Sequence, residues 1–184
     1  MVVDGNRIPN QITIHMFGAL VLVACLLLLI RLLKGSGSNA DVVKANVWLI
    51  AGLVFVTLLQ VLMGTNVREE VDFLNKSGVA RADWIESLPG VFDVHRSFSI
   101  AVFLANGLLL FKLMKTSMQG VALLWGGILV LEILLGLGLT YLGFPSWMQP
   151  LHLVLAFVLF AVQFDVLSKV LGGEGVTPST QKTQ

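Results

Sequence analysis

Charged side chains are scarce in this sequence. Only 12% of the 184 residues are charged and 56% are hydrophobic, whereas about one quarter of a soluble domain of this size is usually charged. Such a chain cannot cover its own surface with polar groups, so its excess apolar surface requires lipid. The net charge is only +1, without a basic patch or tail, and this excludes nucleic acid as an expected partner.

Cysteine and the common catalytic motifs are nearly absent as well. Cys25 is the single cysteine and lies within an apolar run, which excludes an internal disulfide and a cysteine-based metal site. There is no HExxH spacing, no nucleotide-binding loop and no Ser-His-Asp arrangement. The sequence therefore indicates neither a zinc hydrolase nor a nucleotide-dependent enzyme.

Long apolar runs are what the sequence has instead. About 20 apolar residues cross a bilayer core, and exposed sheet edges are forbidden in hydrocarbon, so such runs must be helices. We predict an all-α integral membrane bundle of five transmembrane helices: Ile12–Leu33, Val47–Val67, Phe92–Phe111, Val121–Leu142 and Met148–Leu171. Residues 1–34 carry the first helix, residues 44–171 form a four-helix bundle, and residues 172–184 resemble a disordered tail.

The distribution of Lys and Arg predicts the orientation. One side of the predicted bundle carries Arg31, Lys34, Lys44, Lys112, Lys115, Lys169 and Lys182, and the other carries Arg7, Arg68, Lys76, Arg81 and Arg96 among many acidic residues. We therefore place the C-terminal tail, the loop 35–43 and the turn 112–120 in the cytoplasm. The N-terminus would then face outward, which favours a chain that is the downstream part of a longer polypeptide.

The three histidines all fall on the predicted outward side. His15, His95 and His152 lie near the starts of the first, third and fifth helices. Imidazole offers a nitrogen lone pair that suits iron, and Arg96 could pair with a porphyrin propionate. Phe98, Trp147 and Phe157 could pack against the ring. The alternative is that each histidine hydrogen-bonds another helix and binds nothing.

His95 and His152 are the natural pair of iron ligands, because their helices run in the same direction and are joined through one returning helix. His15 is left without a mate in this chain. For Glu132, in the middle of the fourth helix, we expect either a protonated group hydrogen-bonded between helices or a contact with a proton or quinone. Gln60 and Asn106 are expected to join helices, and Trp48 and Trp125 to lie at the inner membrane interface.

An ordered set of short stretches resembles the downstream part of heme A synthases, membrane enzymes that oxidise a methyl group of heme O to a formyl group for cytochrome oxidase. That family has two homologous four-helix halves. The matching stretches are Leu59–Arg68, Val94-His95-Arg96, Leu131–Gly136 and Leu151-His152 with Ala156, in the order of the family's second half. The stretch Asn10–Leu33, which contains His15, resembles the fourth helix of the first half.

The resemblance implies that His95 and His152 are axial ligands of a heme b, with Arg68 near the heme edge. It implies that His15 is one of two ligands in the half that binds heme O, the substrate. The implied partners are an upstream half, a second copy of this chain or a heme O synthase. The implied location is a prokaryotic cell membrane or an organelle inner membrane.

Two departures from the family pattern bear on catalysis. In the first half of family members, a glutamate stands three residues before a His-Arg pair. In this chain the residue three before His95 is Phe92, and Asp93 is one position away. The cysteine pair of many members' outer loops is absent. If Met1 is the true start, the catalytic half is missing, and we do not expect this chain alone to make heme A. Two other functions remain open, an electron-transfer cytochrome b subunit with one outward heme and a structural assembly subunit that binds none.

Overall fold

The computed structural model describes residues 11–34 and 47–173. Their regular secondary structure is entirely helical: α1 (Gln11–Lys34), α2 (Val47–Lys76), a 3₁₀ turn (Arg81–Asp83), α3 (Trp84–Ser87), α4 (Val91–Leu113), α5 (Gln119–Tyr141) and α6 (Met148–Gly173). Five of these helices are long and apolar enough to cross a membrane. The predicted fold class is therefore confirmed.

The second helix is longer than the sequence indicated. We predicted that it ends at Val67, but α2 continues to Lys76. An ion pair between Arg68 and Asp72, one helical turn apart, joins the added turns, and Val71 and Leu74 are buried there. Apolar contacts thus extend the helix beyond the stretch that hydropathy alone identified.

The predicted loop 35–43 and most of the predicted tail lie outside the described residues. Helix α6 continues to Gly173, so the first two residues of the predicted tail, 172 and 173, are helical. The N-terminal residues 1–10, including Arg7, also lie outside the described part of the chain.

Four helices form a ring in which α4 and α6 lie on a diagonal. Helix α2 packs on both α4 and α6, and α5 closes the ring by packing on the same two helices. Helix α1 packs on the outside, against α2 and α6. We call the end at which α1, α4 and α6 begin, and at which α2 and α5 end, the histidine end.

Polar contacts hold α1 at both of its ends. Near the histidine end, the Thr13 backbone N–H donates to Oε1 of Glu69 at 3.1 Å, and its hydroxyl lies 2.9 Å from that of Thr65. At the other end, Arg31 donates to the backbone carbonyl of Lys169 at 3.2 Å. Two anchors far apart fix the tilt of α1 against the ring.

The turn between α5 and α6 closes the histidine end. Gly143 and Phe144 both have positive φ values, 67° and 54°, a conformation that costs a glycine little but disfavours a residue with a bulky side chain. Phe144 is held there by its buried ring, whose centroid lies 6.4 Å from that of Trp84 and 6.1 Å from that of Phe92. The aromatic cluster thus caps the bundle.

A buried polar cluster joins α4, α5 and α6 towards the other end. Trp125 Nε1 and Gln163 Nε2 both donate to Oδ1 of Asn106, at 2.9 and 3.0 Å, and all three side chains are fully buried. Asn106 therefore joins helices as expected. We expected Trp125 at the inner membrane interface, but it lies inside the bundle, because its N–H has a partner there.

Replacing Asn106 with leucine should destabilise the protein. Asn106→Leu leaves two buried N–H donors without an acceptor, at a cost of about 1–3 kcal/mol for each, and a lower melting temperature in detergent would show it. The matched control is Asn75→Leu at an exposed position on α2. Equal melting temperatures for the two variants would contradict this account of the cluster.

Candidate heme site

A cavity of about 660 Å3 opens between the diagonal helices α4 and α6. All five long helices line it, and its volume lies within the range of about 300–1,000 Å3 that is usual for ligand and cofactor sites. Its walls are mostly apolar and include Val61, Val102, Leu129, Leu153 and Leu159. Both His95 and His152 line this cavity, so the fold brings the two predicted ligands together.

The His95 ring packs against a position without a side chain. A Cβ atom added at Gly64 on α2 would lie 3.1 Å from Cε1 of His95, closer than such contacts normally are. Nδ1 of His95 is buried without a hydrogen-bond partner. The backbone of His95 is held by Gln60, whose Nε2 donates to the His95 carbonyl at 3.0 Å.

His152 has a carboxylate beside it. Its Nδ1 lies 2.6 Å from Oε2 of Glu132 on α5, and the Glu132 side chain is buried. Gly136, one turn further along α5, faces the same ring, since a Cβ added there would lie 3.6 Å from Cε1 of His152. Glu132 therefore contacts a histidine of a neighbouring helix, in line with the interhelical role that we considered.

The two predicted propionate partners also line the cavity. Arg68 on α2 pairs with Asp72, and Arg96 on α4 lies 3.3 Å from Asp93 and stacks over the Phe92 ring at 5.6 Å. Both arginine side chains are about half exposed, at 41% and 54%. They therefore place guanidinium groups in the cavity wall near the histidine end.

His15 is not part of this cavity. Its side chain is exposed, and α1 contributes Ile12 and Met16 to the lining instead. The structure thus unites His95, His152, Arg68 and Arg96 and leaves His15 on another face of α1. Asp93 is also turned outward, with its side chain 69% exposed, while Phe92 lines the cavity.

Several lining residues were not identified from the sequence. The aromatic side chains of the cavity are Phe92 and Phe144 rather than Phe98, Trp147 and Phe157, and Trp147 is 65% exposed. The glycines that face the two imidazoles were also missed. A repeated pattern could have indicated them, because Leu59–Gly64 and Leu131–Gly136 each place a Gln or Glu four residues before a glycine.

The residues present fit a heme. Two imidazoles from separate helices face one apolar cavity, glycines leave room beside each ring, and one ring already has a carboxylate at Nδ1, as metal-binding histidines usually do. Within residues 11–34 and 47–173, no group of three or more His, Cys, Asp or Glu side chains could hold a metal ion. The candidate donors in the cavity are the two histidines, and imidazole is a common ligand of heme iron.

The model of the cytochrome oxidase assembly protein family COX15-CtaA matches residues 4–164. The match includes the whole of α2, α4 and α5 and reaches into α6, so it contains both histidines of the cavity. No curated protein and no solved structure matches the chain. This chain is a multi-pass membrane protein that belongs to the COX15-CtaA family of cytochrome oxidase assembly proteins, the heme A synthase family.

Proposed function

We propose that this chain binds heme b between His95 and His152 and serves as the heme b-binding half of a heme A synthase. In that role it would act in the oxidation of the heme O methyl group to the formyl group of heme A. The observation that carries the proposal is the pair of imidazoles on α4 and α6, which face one apolar cavity and each pack against a glycine.

Each part of the cavity has a distinct task in this proposal. His95 and His152 would hold the iron, and Arg68 and Arg96 would pair with the propionates. The apolar walls, among them Val102 and Leu129, would exclude water and favour a porphyrin face. A bound heme b would supply one-electron transfer.

The substrate half would include α1. We assign residues 1–34 to the last helix of that half, with His15 as one of two ligands of heme O. His15 lies on an exposed face of α1, outside the heme b cavity, where another helix can approach it. An upstream half or a second copy of this chain would supply the other ligand, and a heme O synthase would supply the substrate.

The histidine end would face outward. The cations near the other end include Arg31, Lys112, Lys115 and Lys169, and Lys and Arg close to helix ends favour the cytoplasmic side. The membrane would be a prokaryotic cell membrane or an organelle inner membrane.

Removing either cavity histidine should abolish heme binding. The purified, reduced protein should show the Soret band and the resolved α and β bands of a low-spin heme b, and His95→Ala or His152→Ala should lose them because one iron ligand is missing. His15→Ala should keep them, since His15 lies outside the cavity. Equal loss of heme in all three variants would show that the pairing is wrong.

The same variants separate the enzyme from an electron-transfer subunit. In cells whose only copy of this chain carries His152→Ala, membranes should lose heme A and accumulate heme O, as pigment extraction and chromatography would show. An electron-transfer cytochrome would leave the heme A content unchanged. A structural subunit would show no heme bands even in the unmodified protein.

A methyl group at Gly64 should interfere with the His95 ring. Gly64→Ala places a Cβ 3.1 Å from Cε1 of His95, and such overpacking costs about 1–3 kcal/mol, or roughly 5- to 150-fold in heme affinity. Gly52→Ala on the same helix is the control, because nothing lies within 4 Å of its added Cβ. Heme titration of the two apoproteins should separate them, and equal affinities would contradict the role of Gly64.

Two exposed serines test the orientation. In a Cys25→Ala background, Ser77→Cys lies near the histidine end and Ser117→Cys in the turn at the other end. A membrane-impermeant maleimide added to intact cells should label the first and not the second. Labelling of Ser117→Cys and not of Ser77→Cys would show that the protein has the opposite orientation.

A further inference from the structure

The two imidazoles of the cavity have equivalent neighbours with different chemistry. Gln60 and Gly64 on α2 face His95, while Glu132 and Gly136 on α5 face His152. In each pair the polar residue stands four positions before the glycine, one helical turn away. The bundle therefore offers each histidine a polar residue and a glycine one turn apart. The polar residue is an amide that holds the backbone carbonyl at His95 and a carboxylate that meets the ring at His152.

At His152 the ring and the carboxylate are already within contact distance. Nδ1 lies 2.6 Å from Oε2 of Glu132, whose side chain is only 9% exposed, although the two atoms are not aligned as a hydrogen bond. An ionised carboxylate accepts a hydrogen bond and cannot donate one, so Glu132 at this distance favours a ring hydrogen on Nδ1. Nε2 then keeps its lone pair for iron.

At His95 a ring nitrogen and an amide oxygen are also unsatisfied. Nδ1 of His95 and Oε1 of Gln60 are buried without a hydrogen-bond partner, although Nε2 of Gln60 already holds the His95 backbone carbonyl. Buried polar atoms without partners are rare and costly, and these two form a matched donor and acceptor. With a metal held at Nε2 of His95, the amide oxygen of Gln60 would be a candidate acceptor for the hydrogen on Nδ1.

We propose that Glu132 and Gln60 are positioning residues for the two axial imidazoles, and that the carboxylate of Glu132 lowers the reduction potential of the bound heme. This rests on the heme site proposed above. A carboxylate accepts a stronger hydrogen bond than an amide does, so His152 donates more electron density to iron than His95 does. Extra donation favours the ferric state and leaves the heme a better reductant.

Exchanging amide and carboxylate tests the proposal through the reduction potential. Glu132→Gln should keep the low-spin spectrum and raise the midpoint potential, by about 59 mV for a tenfold shift of a one-electron equilibrium towards the ferrous state. Gln60→Glu should lower the potential, and the double exchange Gln60→Glu with Glu132→Gln should return it close to the unmodified value. Glu132→Leu should weaken heme binding by about 10- to 100-fold.

The control is Glu86→Gln on the short helix α3, an exposed position outside the cavity that removes the same charge at the histidine end. A potential in Glu132→Gln that matches the control, in a protein with intact low-spin bands, would overturn the role of Glu132. A Gln60→Glu variant with an unchanged potential would overturn the role of Gln60, whether or not Glu132→Gln folds. Absence of low-spin heme from the unmodified protein would instead overturn the proposed function.

Discussion

Every buried polar group in this apolar bundle needs a hydrogen-bond partner, and this constraint governs the structure. With few charges in the helices and no water in the bilayer core, each buried donor or acceptor must be met by a neighbouring helix. Asn106 meets this need for two donors at once, and Glu69 and Thr65 meet it for Thr13. Most of the buried side-chain atoms without a partner belong to residues that line the cavity, among them Nδ1 of His95 and Oε1 of Gln60.

The cavity depends on glycine positions as much as on the side chains that line it. Because α4 and α6 lie on a diagonal of the ring, the two histidine-bearing helices do not close upon each other. Gly64 and Gly136 then allow each imidazole to lie against a neighbouring helix. The packed clusters on either side, around Trp125 and around Phe144, keep this space from collapsing.

The sequence predicted several lining residues of the cavity better than their surroundings. His95 and His152 were selected because they fall on one side of the predicted bundle, Arg96 because it follows His95, and Arg68 through the family resemblance. All four line one cavity. Hydropathy could not predict that α2 continues to Lys76, because the added turns are stabilised by contacts of Val71 and Leu74 with distant residues. Trp125 was misplaced for a similar reason, since its partner Asn106 belongs to another helix.

The amino-acid sequence by itself determined the number of spans, the helical class and the family, because each of these follows from apolar run length and from short ordered motifs. Only the tertiary structure decided that Glu132 meets His152, that Gly64 faces His95, and that His15 lies apart from both. Those relations depend on the rotation of each helix about its own axis. Packing between helices sets that rotation. The sequence of one helix does not determine it, because apolar side chains can face lipid as well as another helix.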